Sequence, residues 1–342
     1  MKILVAPLNW GLGHASRCVP LVQRLLDEGN EVILGGDGES LTLLRKHFPK
    51  LRYTYLAPLN LRYSAGCRQV WAMVKAIPQL FFWSLKDHVM LKALLREEHI
   101  DQIISDNRFG LYNRQTECIY MTHQLHIMLP KGWRWAEKMV ARLHARVQAR
   151  YNKVWIPDYE EKAKSLAGEL SHPKNVQCTM YNVQYIGPLS RFAGIPGNRD
   201  TGISNYAVVA VLSGLEPHRT MREKEIIARY QDSEEQVLIV QGLLHRPNTR
   251  IKRGNVTLVP TMGDAEMVAA LKGAKHIIVR SGYSTIMDLE VLGLLSVSQE
   301  DGLSVKRSVS ETVCQCNGPL IELIPTPGQP EQEYLAAYIA EK

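Results

Sequence analysis

Apolar positions along this chain follow two alternating rhythms. Short runs of branched aliphatic residues end in loops of Gly, Ser and Asn, and apolar residues at helical spacing follow. Lys2–Leu8 is the first such run, Asn9–His14 (NWGLGH) its loop, and Val19, Val22, Leu25 and Leu26 mark a helix that Gly29-Asn30 stops. Glu31–Leu34 is the next strand, with Gly35–Gly38 as its loop, so a parallel βαβ unit is the economical arrangement. Ile100–Ser105, Cys118–Thr122 and Lys153–Ile156 predict further strands. The Gly and Pro punctuation of Tyr185–Pro196 marks a linker, after which the pattern restarts. Tyr206–Leu212, Gln236–Val240, Val256–Val259 and His276–Val279 read as strands, and Arg219–Tyr230 and Tyr283–Leu292 as helices. The expected fold class is α/β: two Rossmann-like, doubly wound domains, 1–187 and 188–342, facing a central cleft onto which strand-end loops open.

Two stretches depart from this rhythm. Val70–Leu91 is a helix-length amphipathic run containing Trp71, Phe81, Phe82 and Trp83, broken or kinked near Pro78. It suits either a core-facing helix or a membrane-surface patch. Trp133–Tyr151 predicts a helix with Lys138, Arg142, Arg146 and Arg150 at steps of four, which makes one face positive and in the first instance solvated.

Composition narrows the classes. With 45% hydrophobic and 22% charged residues the chain is globular rather than disordered. It has no apolar run long enough to span a bilayer, and its N-terminus reads as a strand rather than a signal peptide. The six cysteines are scattered, and Cys314 and Cys316 form a lone CxC without the pairing of a zinc site. A reduced, cytoplasmic setting is expected. The net charge of +7 is compatible with anionic lipid or a phosphorylated substrate, and no nucleic-acid-binding motif accompanies it.

Candidate chemistry lies in the loops. In Asn9–Arg17, Gly11 and Gly13 permit close backbone approach to a ligand, and His14 opens the following helix, where it can serve as a general base or merely contact substrate. The loop is not a dinucleotide fingerprint, because Ser16 stands where GxGxxG needs glycine. Asp106 and Asn107 (SDNRFG) and His123 and Gln124 (THQL) fall at strand ends. In the second half, Arg280, Ser281, Gly282, Ser284 and Thr285 form a strand-to-helix turn suited to a diphosphate, and Asp288 one turn on can accept ribose hydroxyls. Alternatively Ser281 and Ser284 are caps and Asp288 a solvated first-turn acid. Ser213 and Gly214 lie in SGLEPHR, where Arg219 is available to a phosphate; Gln329 and Gln332, in PTPGQPEQEY, suit sugar hydroxyls.

Taken in order, GLGHASR, THQL, SGLEPHR, RSGYSTIMDLE and PTPGQPEQEY resemble nucleotide-sugar glycosyltransferases of the GT-B fold, nearest to MurG-like and family 1 and 28 bacterial proteins. The resemblance implies transfer of a sugar from a nucleotide-diphosphate donor, foremost a UDP-sugar, to a glycan or lipid-linked acceptor. Inversion, no metal and no separate cofactor are implied as well. It places the donor at Gly13, Ser213, Gly214, Arg219, the Arg280–Thr285 turn, Asp288, Gln329 and Gln332. The acceptor falls at Gly11, Asn107, His123 and Gln124, with His14, or else Asp106, as base. Asp288 stands where the family often carries glutamate. Peripheral contact with the cytoplasmic face of an anionic membrane is a further expectation. A non-catalytic nucleotide-sugar-binding protein and a nucleotide-sugar epimerase remain as alternatives.

One departure stands out. In the resembled family the helix ending at Leu292-Gly293 leads directly to a short strand and the PTPGQxEQ loop, whereas here Leu294–Glu322 intervenes. That segment resembles a tail expected after the final EYLAAYIAEK, where the family has a helix returning to the first domain.

Overall fold

The computed structural model describes residues 1–59, 69–174, 182–196, 206–214, 216–295, 306–307, 312–315 and 318–342. They form two compact units, Met1–Leu189 and Ser190–Lys342.

The first unit is a seven-stranded sheet in the order β3-β2-β1-β4-β5-β6-β7, parallel throughout. Its strands are β1 (Lys2–Pro7), β2 (Glu31–Gly36), β3 (Arg52–Tyr55), β4 (Gln102–Asp106), β5 (Glu117–Met121), β6 (Lys153–Ile156) and β7 (Val183–Tyr185). A parallel sheet is covered on both faces, which is why β1, β4 and β5 are buried almost end to end. Leu4, Ile33, Ile103, Tyr120 and Ile156 meet in one core. Helix α1 (Leu12–Asp27) follows β1 and buries Ala15, Cys18, Leu21, Val22 and Leu25. Gly29, at φ 79°, closes it in the left-handed conformation that glycine adopts readily. Helix α2 (Gly38–His47) follows β2, and α4 (Glu137–Gln148) continues a 3-10 turn at Lys131–Ala136.

Helix α3 (Gln69–Glu97) runs 29 residues through Pro78, so of the two expectations, a break or a kink, the break does not occur. It is neither simply core nor simply surface. Trp83 and Leu91 are buried, whereas Phe81, Phe82, Leu85 and Val89 are exposed. The side chain of Trp71 lies outside the described residues.

The second unit is an eight-stranded sheet ordered β10-β11-β9-β8-β12-β15-β14-β13. Its parallel centre comprises β8 (Val208–Val211), β9 (Val237–Val240), β11 (Val256–Val259), β12 (His276–Arg280) and β15 (Leu320–Ile324). Short antiparallel strands border it: β10 (Ile251–Arg253) on one side, β14 (Thr312–Gln315) and β13 (Lys306–Arg307) on the other. The intervening segment 294–322 therefore contributes β13, β14 and the start of β15, although most of 296–317, Cys316 included, lies outside the described residues. Helices α5 (His218–Tyr230), α6 (Asp264–Gly273), α7 (Tyr283–Val291) and α8 (Pro330–Glu341) complete the unit.

A buried arginine organises the strand ends of the first unit. Arg108 is wholly buried. Its Nε and Nη2 donate to the two Asp87 oxygens at 2.9 and 2.8 Å, Nη1 donates to Asp37 Oδ1 at 2.8 Å, and Nη2 also to the Ala57 carbonyl at 2.7 Å. One guanidinium thus ties the loop after β4 to α3, to the residue preceding α2 and to the chain after β3. Burial pushes the Asp87 carboxyl up, and Arg108 opposes that rise. Removing the cation leaves two carboxylates without it in the interior. Arg108→Ala is therefore expected to cost about 3–5 kcal/mol, read as a lower urea midpoint at unchanged m-value.

Candidate functional site

In the first unit the predicted residues converge where β1, β4 and β5 end. Gly11, at φ 77°, precedes α1, so His14 and Arg17 fall on the first turns of that helix, three residues apart and on one face. Asp106 is the last residue of β4, directly opposite Pro7 of β1. Its carboxylate is fully buried. Arg17 grips it with two donors, Nε to Oδ2 at 2.7 Å and Nη2 to Oδ1. His14 Nδ1 lies 3.0 Å from Oδ1, and the Cys18 thiol donates to Oδ2 at 3.7 Å. Burial pushes the Asp106 carboxyl up, but Arg17 and His14 outweigh it and hold the group well below the usual carboxylate range. The alternative assignment of Asp106 as the base is thereby corrected. A buried carboxylate clasped by a guanidinium is too weak a base and has no exposed surface; its oxygens face Arg17, His14 and Cys18 instead.

His123 also belongs to this cluster, its Nδ1 3.2 Å from Arg17 Nη1. Asn107 follows Asp106 at φ 58°, in the left-handed region that asparagine tolerates better than most residues. Its Oδ1 accepts from the Tyr120 hydroxyl at 2.9 Å, and that hydroxyl lies 3.2 Å from His144 Nε2 on α4. Burial lowers His144 to about 4, so it is neutral at pH 7. Gln124 is half-buried in the same loop, where its backbone N–H donates to Thr122 Oγ1. Arg17 itself carries no role in the sequence reading. The signal that could have exposed it is an arginine on the otherwise buried face of α1, one turn from His14.

In the second unit Arg280 ends β12 and its Nη1 donates to the Ser213 carbonyl at 2.7 Å, joining the loops after β12 and β8. Gly214 makes room for this, since a Cβ there would overlap the guanidinium. Gly282 precedes α7, and Ser284 and Thr285 lie half-buried in its first turn. Ser281 differs from expectation: it is buried and its hydroxyl donates to the Gln332 carbonyl at 2.9 Å, pinning α8 to this loop. Gln332 Oε1 accepts from the Thr326 N–H at 2.9 Å and hydroxyl at 2.7 Å, while Gln329 is the residue before α8.

Arg219 is corrected. It is buried, with Nε on Glu216 Oε1 at 2.8 Å, just before its helix, and Nη1 on Glu223 Oε2 at 2.9 Å within it, so its charge is matched by these two carboxylates rather than offered to a phosphate. Asp288 also has a protein partner, the Ser190 hydroxyl, at 2.5 Å. Burial raises the Asp288 carboxyl to about 6, against the pull of Ser190 and Arg191.

Comparison with known proteins bears on this arrangement. No family model matches the chain. A curated protein of Methanosarcina acetivorans, described as an uncharacterized glycosyltransferase, is 23% identical over 325 residues, covering 88% of this chain and 80% of its own length. Among solved structures, the glycotransferase of kitacinnamycin superposes with a TM-score of 0.56 at 14% identity, covering 98% of this chain and 84% of its own. The spinosyn rhamnosyltransferase SpnG superposes with a TM-score of 0.55 at 13% identity, covering 86% and 79%. SpnG is also known in complex with thymidine diphosphate. The two parallel-sheet units therefore have the GT-B glycosyltransferase fold.

The Asp288 environment gives a pH test. Its folded pKa, about 6, exceeds the ordinary value near 4 of the unfolded chain. Its contribution to stability is therefore complete below about pH 4 and is lost as pH rises through 6. Asp288→Asn keeps an acceptor for Ser190 without the charge. Relative to the wild type, it should gain on the order of 1 kcal/mol between pH 4.5 and pH 7.5 in urea denaturation.

Proposed function

We propose that this chain is a metal-independent glycosyltransferase that moves a sugar from a nucleoside-diphosphate donor to a hydroxyl acceptor, with His14 as base. One observation carries the reading: within the fold of glycosyltransferases, a histidine in the first turn of α1 faces a buried, ionised carboxylate at the end of β4. Asp106 accepts a hydrogen bond from Nδ1–H and so directs Nε2 to the acceptor hydroxyl. As that proton moves to Nε2, the hydroxyl oxygen bonds to the anomeric carbon and the nucleoside diphosphate leaves with its electron pair, inverting the centre. Arg280 and the N-terminus of α7 are the groups suited to the departing diphosphate, an assignment supported by their position after β12 and by the affinity of helix N-termini for phosphate.

The acceptor in this reading is glycan or lipid-linked, taken at the cytoplasmic face of an anionic membrane. Two exposed apolar faces support it. On α3 they are Phe81, Phe82, Leu85 and Val89; on α4 and the turn before it, Trp135, Met139 and Leu143 recur every four residues. Exposed Lys131, Arg134, Lys138, Arg142 and Arg146 accompany the second face. Apolar side chains with flanking cations are what a helix lying in a lipid headgroup layer presents. Both helices pack on Phe109, through Trp83 and His144, three residues from Asp106. No described helix is long and apolar enough to cross a membrane.

Two measurements check these assignments. Uridine and thymidine diphosphates, and sugars carried on each, are compared for thermal stabilisation; the bound series should contribute about 2.7 kcal/mol at 100 times its dissociation constant. His14→Ala should keep that stabilisation and lose roughly 10²–10⁴-fold in transfer rate. Retained transfer would remove His14 as base, and an absence of stabilisation by any of them would remove the donor site. For the membrane, sedimentation with anionic vesicles should fall at least tenfold when Phe82, Trp135 and Leu143 become serine, and neutral vesicles should bind little from the start. Unchanged sedimentation would reject the lipid face.

A further inference from the structure

Arg17 lies within hydrogen-bonding distance of three groups at once: Asp106, His14 and His123. We propose that Arg17 is a positioning residue that sets the two imidazoles in opposite tautomers, His14 with its proton on Nδ1 and His123 with its proton on Nε2. This rests on the preceding reading only for its consequence, since the tautomers are properties of the protein alone.

The argument begins with what a guanidinium can do. It is always charged and only donates. Its Nη1, 3.2 Å from His123 Nδ1, therefore requires a lone pair on that nitrogen, and a neutral imidazole with an accepting Nδ1 carries its proton on Nε2. His14 is placed differently. Its Nδ1 lies 3.0 Å from Asp106 Oδ1 and 2.9 Å from Arg17 Nη2, between an acceptor and a donor. Nη2 gives one of its two N–H groups to that same Oδ1. The acceptor is a buried anion whose hydrogen bonds are charge-assisted, about twice as strong as neutral ones. Nδ1 of His14 accordingly donates, which leaves the lone pair on Nε2.

Charge makes Arg17 more than a spacer. Asp106 faces Arg17 and Cys18 from α1, with His14 beside them and His123 beyond the guanidinium. Burial raises the Cys18 thiol well above its usual range, so it stays neutral. Arg17 is then the one permanent cation among these groups. Were it removed, the carboxylate would have only an imidazole to balance it, and would hold that imidazole protonated. A protonated His14 has no lone pair on Nε2. Arg17 thus takes the charge of Asp106, and the same guanidinium makes its neighbour His123 a donor on Nε2. One imidazole with an accepting Nε2 and one with a protonated Nε2 thus flank the same guanidinium.

The test is imidazole nitrogen-15 correlation spectroscopy at pH 7.5 on full-length protein labelled at histidine, with His14→Gln and His123→Gln used to assign the signals. The wild type should show His14 protonated at Nδ1 only and His123 at Nε2 only. Arg17→Lys keeps the charge but lacks the fork; His123 should become a mixture of tautomers while His14 stays neutral. Arg17→Met should convert His14 to the doubly protonated form. A wild-type His14 protonated at Nε2 overturns the proposal, and so does either folded variant with both tautomers unchanged. If Arg17→Met does not fold, the wild-type and Arg17→Lys spectra still decide. No nucleotide or acceptor enters the measurement, so loss of the glycosyltransferase reading and loss of this one are separate results.

Discussion

The first unit depends on one constraint: charge buried at the carboxyl ends of parallel strands must be matched there. Strands β1, β2 and β4 run in parallel, so their final residues come together, and the sequence places Asp37 and Asp106 among them. Two arginines answer this. Arg108 reaches Asp37 and Asp87, and Arg17 reaches Asp106. The first fixes where α3 and the loop after β4 lie, and the second where α1 places His14. Shape and chemistry at this end of the sheet follow from the same electrostatic requirement.

That requirement also explains which residues were legible. Strand, loop and helix follow from local periodicity, so β1, α1, β2, β12 and α7 are readable directly, and His14 and Asp106 stand out because both fall at strand ends. Arg17 and Arg108 do not stand out. Arg17 meets Asp106 across 89 residues of chain, and Arg108 meets Asp37 across 71. No spacing rule links such partners before the sheet brings them together. Strand β3, with three of its four residues exposed, and β7, three residues long, have too little apolar pattern to read.

Other departures are local and could have been read. Arg219 has Glu216 three residues before it and Glu223 four after, the spacing at which helical neighbours pair. Trp135, Met139 and Leu143 share the four-residue step of the basic residues on α4, so the helix carries an apolar stripe alongside its cations. Ser281 is different. Its hydroxyl looks like a ligand donor beside Gly282, yet it is buried and bound to α8, a contact that exists only because β15 lies next to β12.

The borders of the second sheet bear on association between molecules. A parallel sheet ending in a long bare strand offers its unpaired amides and carbonyls as a template for a neighbour. Here β10 has three residues, all exposed, two of them Lys252 and Arg253, and β13 consists of Lys306 and Arg307 alone. A second copy approaching edge to edge would find a ladder only two or three residues long. Short margins of this kind disfavour strand addition to a sheet whose inner strands are nearly all valine, leucine and isoleucine.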